Sequence, residues 1–192
     1  IKFGTGYDSG NPALHSNRTV NDIIIDTNSD IAIYAPEGGV GGRTLTVDSG
    51  QLTRTTSSSR YQHLKMPIVL GTPGVWSVGG SGELVVHEEL QALGFTKLGA
   101  ATLRLKAPKI LGPFSVQSGL VWAYGPYIST LGGTVSVGTT GDYAVLFLAD
   151  LAAGLIGSNY VLGPRAEARF FDSSTISGLS MSGGTLLNAK AL

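Results

Sequence analysis

Cysteine is missing altogether from the 192 residues, so neither a disulfide framework nor a thiolate metal site holds this chain together. Charge is sparse as well. Charged residues make up 14%, below the rough quarter typical of a soluble domain, and 13 basic residues balance 13 acidic ones. They form no long run of either sign. Without a clustered basic face there is no electrostatic footprint for nucleic acid, and none for a polybasic contact with a membrane surface. Long apolar stretches are lacking too. The longest run, Ala144 to Ala149, falls far short of the about 20 residues a spanning helix needs, so no membrane span is expected. Ile1 stands where a Met would begin a nascent chain. We expect a processed chain or a fragment, with any signal peptide already removed.

What the sequence does have is glycine, 28 residues of it, and a period of two. Hydrophobic residues reach 42%, enough for a sizeable core in one domain or a short solenoid. Ile23-Ile24-Ile25, Ile31 to Tyr34, Thr44 to Val47, Val75 to Val78, Glu83 to Val86, Ala101 to Leu105, Phe114 to Val116 and Thr134 to Val137 are short and rich in β-branched or aromatic residues. Glycine pairs and Thr-Thr-Gly punctuate them. Such spacing argues an all-β protein. Helical pattern is nearly absent. The one helical candidate is Asp142 to Leu155, and the same residues also read as a buried strand, Tyr143 to Leu148. The β context favours the strand.

A short pattern recurs as VDSGQL, VGGSGEL, VQSGLV and MSGGTLL, with glycines at 50, 82, 119 and 183. The gaps are 32, 37 and 64 residues, which suggests stacked turns of about 32. Glycine would supply the sharp change of direction between strands, and the following Leu would point back into the core. A lone strand buries little, so neighbouring turns must stack to share a core. This predicts a parallel β-helix or β-solenoid, with a β-sandwich or jelly-roll-like domain as the alternative. Residues 1–141 would form the coils, and 142–192 the terminal coils or a cap of the same domain.

Gly94-Phe95-Thr96-Lys97-Leu98-Gly99-Ala100-Ala101-Thr102-Leu103-Arg104-Leu105, followed by Ile110 to Leu120, resembles the autotransporter-associated β-strand repeat of bacterial surface proteins. Ala101 replaces that repeat's second glycine after the lysine, and Leu111-Gly112 replaces its aromatic-glycine pair. The likeness covers Val20 to Tyr124, a little over half of the chain. It implies a parallel β-helix on an exported, extracellular or cell-surface protein, and no catalytic residues. On this reading Gly94 and Gly99 are corners and Lys97 sits on a turn, its charge in solvent or bonded to carbonyls of the adjacent coil. Leu103 and Leu105 point inward, Thr102 and Arg104 outward.

Chemistry-bearing clusters are few. His15, His63 and His87 lack metal-ligand spacing, so no metal, cofactor or catalytic residue is assigned. His87-Glu88-Glu89 is the densest titratable group; a polar turn leaving the preceding strand accounts for it. Asp22, Asp26, Asp30, Asp48, Asp142, Asp150 and Asp172 are scattered, and a glycosidase needs two carboxyl groups at a set separation. Gly38-Gly39-Val40-Gly41-Gly42 lacks the lysine and serine of a phosphate loop. Tyr61 and His63 form a group that suits a sugar, or a loop returning to a strand. Trp122 and Tyr124 alternate, so both rings share a face. Outward, they make a patch for a glycan or partner; inward, they pack the core, which is the reading favoured here. Tyr127 lies close by.

Taken together these features suggest a non-enzymatic structural or adhesive β-solenoid outside the cell. Its partners would be surface glycans or further copies of itself, stacked head to tail into a filament or layer. The alternatives are a carbohydrate-active β-helix like a tailspike depolymerase, and a viral fibre or capsid β-domain.

Overall fold

The computed structural model describes residues 1–3, 12–35, 43–55, 60–124, 130–131, 133–149, 159–171 and 176–188. The Gly38–Gly42 string, Tyr127, Asp150, Asp172 and residues 150–155 of the ambiguous segment lie outside them. Among the described residues there are strands and no helix. In chain order they are β1 (Lys2–Phe3), β2 (Arg18–Ile25), β3 (Ile31–Tyr34), β4 (Leu45–Arg54), β5 (Gln62–Lys65), β6 (Ile68–Leu70), β7 (Gly74–Val78), β8 (Glu83–Ala92), β9 (Phe95–Leu98) and β10 (Thr102–Ile110). Then follow β11 (Phe114–Val116), β12 (Gly119–Tyr124), β13 (Thr130–Leu131), β14 (Thr134–Val137), β15 (Ala144–Ala149), β16 (Asn159–Leu162), β17 (Ala166–Phe170), β18 (Gly178–Met181) and β19 (Thr185–Asn188).

All strand pairings among them are parallel. They sort the strands into three sheets around one core. Sheet I holds β1, β7, β9, β11, β14, β16 and β18 with the second halves of β2 and β4. Sheet II holds β3, β5, β12, β15, β17 and β19 with the first halves of β8 and β10. Sheet III holds β6 and β13, the first halves of β2 and β4 and the second halves of β8 and β10. The chain runs from sheet II to III to I and begins the next coil one strand further along, for about seven turns. The fold is therefore a parallel β-solenoid. Residues Ala144–Ala149 are strand, as the β context implied.

Alternation explains why these segments stack. In β10 Leu103 and Leu105 are fully buried, with Thr102 and Arg104 on the outside. Leu84, Leu103, Val121, Leu146 and Ala168 pair in succession and make one inward column of sheet II. Leu52 and Trp76 open a column in sheet I that continues through Lys97, Val116 and Val137. Each apolar side chain so covered contributes about 1.5–3 kcal/mol, but only because the coils above and below seal its column.

The coil period differs from the expected 32 residues. Leu84 pairs with Leu103, Leu103 with Val121, and Val121 with Leu146, steps of 19, 18 and 25. The 37-residue gap between Gly82 and Gly119 thus spans two coils, and the 64 residues to Gly183 span three. Gly50, with φ of 66°, bends β4 from sheet III into sheet I. The other three glycines sit where sheet I hands over to sheet II. His87-Glu88-Glu89 does not leave its strand, contrary to expectation. β8 turns the corner from sheet II to III at these residues while staying extended.

Candidate functional site

The outer face of sheet II gathers the four residues singled out by sequence. His63 lies on β5 and Tyr61 immediately precedes that strand; Trp122 and Tyr124 lie on β12. Ala123 between them is 1% exposed and belongs to the core, so both rings point outward. The inward reading of this pair is overturned. Alternation fixed that the rings share a face, and the small Ala123 suits the interior column beside Leu105 and Leu148.

Register then builds a ladder along the solenoid. Val85, Arg104, Trp122, Phe147 and Arg169 pair in succession, one per coil. The Arg104 guanidinium lies 4.8 Å from the Trp122 ring centre, and that of Arg169 lies 5.0 Å from Phe147. Trp122 meets Phe147 edge-on at 5.9 Å, and Phe147 meets Phe171 at 6.0 Å. Contacts of these kinds are each worth about 0.5–1.5 kcal/mol. Both arginines are also held by carboxylates: Arg104 Nε lies 2.7 Å from Glu83 Oε2, and Arg169 Nε donates to Glu167. The strip is electrically balanced. Guanidinium groups cover Trp122 and Phe147, while Tyr61, Tyr143 and Phe171 remain 48%, 55% and 38% exposed.

At the other end of this face Tyr61 lies parallel to His63, with ring centres 6.3 Å apart. His63 Nδ1 is 2.9 Å from His87 Nε2 on the next coil. Partial burial pushes both imidazoles below their usual value. Lys65 adds to the effect at His63, and His63, Lys65 and Lys106 add to it at His87. Asp30 accepts the Tyr61 N–H at 2.7 Å and lies 3.7 Å from the Arg60 guanidinium. His15 is exposed, ahead of β2.

Asp22, Asp26 and Asp30 are engaged separately. Asp26 accepts from Thr55 Oγ1 at 2.6 Å and pairs with Lys2 at 3.0 Å, and these contacts hold its carboxyl below the usual range. Among the described residues no three His, Asp or Glu side chains are grouped to hold a metal ion. Neutral imidazoles, phenols and carboxylate-bound guanidiniums equip the face for hydrogen bonds, and its rings for stacking contacts; the Trp122 indole N–H is itself buried.

Two buried cations complete the picture. Lys97 is 0% exposed; its Nζ donates to the carbonyls of Ala101 (2.5 Å), Ser118 (2.8 Å) and Gly99. Contrary to expectation Lys97 lies within β9 and not on a turn; of its two expected settings the carbonyl one holds, with Ser118 on the adjacent coil and Gly99 and Ala101 on its own corner. Burial pushes its ammonium down to about 7. Arg54, unremarked in the sequence, is 1% exposed and donates to Gln62 Oε1 and to the carbonyls of Gly79 and Arg60. Its only sequence signal is an inward position at the end of β4. Comparison with protein-family models, curated proteins and solved structures gives no match.

Proposed function

We propose that this chain is a non-enzymatic structural and adhesive module of a bacterial surface protein. On this reading it is an extracellular β-solenoid of autotransporter-type repeats, and the outer face of sheet II is its contact surface for a glycan. The observation that carries the reading is the convergence of Tyr61, His63, Trp122 and Tyr124 on that single face, with Phe147 and Phe171 beside them. Strands fix these rings before any partner arrives, which lowers the ordering cost of binding. The balanced Glu–Arg pairs suit a neutral saccharide better than an acidic one.

The test is binding to immobilised neutral and acidic surface polysaccharides. Tyr61→Ala and Tyr124→Ala together should weaken retention at least tenfold, and Thr96→Ala on the outer face of sheet I should not. Equal loss in both variants, or no retention of the parent protein, contradicts the reading. Release of oligosaccharides would favour the depolymerase alternative.

Head-to-tail assembly is a second reading. Leu179 and Met181 occupy inward positions on β18 yet are 45% and 43% exposed. An uncovered parallel edge invites strand addition by another copy. Micrographs showing only discrete particles at micromolar concentration would remove it.

A further inference from the structure

We propose that His63 and His87 form a pH-sensitive clasp between two successive coils, closed while the two rings share a hydrogen bond and loosened when both carry a proton. The geometry is specific. His63 projects from β5 and His87 from β8, and the two strands pair through Gln62–Leu84, His63–Val85 and Leu64–Val86. The rings meet at 2.9 Å between nitrogens, so one N–H lies in the bond and one lone pair accepts it.

A first proton leaves an N–H facing a lone pair, and the contact survives. A second places two N–H groups against each other with no acceptor between them. The surroundings sharpen the effect. Lys65 on β5 and Lys106 on β10 act on His87 as like charges. Of the opposite charges, Glu83 is bound to Arg104 and Asp30 lies beside Arg60. Glu88 and Glu89 are exposed on β8 itself, and Tyr61 is the uncharged neighbour stacked on His63. The two lysines also make the pair a poor seat for a divalent cation.

Burial lowers both imidazoles in the folded protein, so the unfolded chain binds more protons as pH falls below about 6.5. Stability supplied by the clasp is complete above that value and is lost as pH drops through the folded values. The two steps belong to the pair, not to either ring.

The experiment uses the full chain with chelator present. Imidazole proton shifts and amide protection are followed by NMR from pH 8 to 4.5. His63 and His87 should titrate together below 6.5. Protection at His63 and Leu64 should fall about tenfold for each unit by which the pair is depressed, while protection at Gly138, just after β14 and bonded to Val116 O, holds. His87→Phe should abolish the pH response of β5, and His15→Asn should keep it. If His87→Phe fails to fold, the wild-type titration decides alone. Independent titration of the two rings, uniform loss of protection across both sheets, or a response that survives His87→Phe would overturn the proposal.

Discussion

Arg54 and Lys97 close the same corner of the coil, where sheet I hands over to sheet II, by different chemistry. Strand ends at this corner leave carbonyls facing inward, and buried carbonyls need donors. Arg54 brings a planar fork. It serves Gly79 on the next coil and Arg60 on its own, and it holds Gln62, whose amide donates in turn to Ser29 O at 3.3 Å. Lys97 brings a compact group with three N–H donors to three carbonyls, and it reaches Ser118 because Gly119 presents no side chain. Further along, the corner after β14 closes through its own backbone: Gly141 N–H donates to Gly138 O at 3.1 Å. The form of the loop, and the space it leaves, decides which donor is used.

The comparison breaks most visibly by deletion. Arg54→Met strands acceptors on two coils and should lower unfolding free energy by about 4 kcal/mol; Lys97→Met should cost about 3 kcal/mol. Urea denaturation ranks them; Arg54 serves four acceptors and Lys97 three, and a larger loss at Lys97 would reverse the account of which cation satisfies more. Arg54→Lys should recover little, because a point charge cannot reproduce the fork.

A smaller effect, about 2 kcal/mol, is expected for Gly119→Ala. It places a side chain at φ of 71° and against Lys97 Nζ. The same change at Gly79, which lies outside the left-handed region and whose added Cβ would meet only Arg54 O at 3.0 Å, should cost less in the same assay.

The gentlest probe is alkali. Lys97 sits near 7 when folded against 10.5 for the free side chain, so the unfolded chain binds more protons between those values. Stability should therefore rise with pH across that window in the parent protein. Lys97→Met should lose that slope and Arg54→Met should keep it. A flat profile in the parent would mean that the carbonyls hold the ammonium as firmly as water does.

Much of the fold was legible because alternation is a local property. Leu103, Leu105, Thr102 and Arg104 take the sides their spacing assigned, and Gly94, Gly99 and Gly50 mark corners as their freedom suggested. Register was not legible, since it depends on how many residues each corner consumes. That is why a coil step that varies from 18 to 31 residues in sheet II was read as a uniform 32, and why the His63–His87 meeting went unseen. Alternation also cannot say which of two faces is inside. Trp122 and Tyr124 looked like core on hydrophobicity, yet Ala123 takes the interior. Charge likewise could not choose between the two settings open to Lys97, and it gave no sign of Arg54; corner carbonyls draw both in.

The central claim is that backbone hydrogen bonds join each coil to the one before it. Scalar couplings across hydrogen bonds, recorded by NMR, test this directly. Gly79 should couple to Arg54, Ala101 to Val78, Gln117 to Lys97, Gly138 to Val116 and Gly163 to Val137, one bond per coil along the axis. Couplings that instead link neighbouring strands as antiparallel hairpins, β7 with the start of β8 for example, would contradict the account.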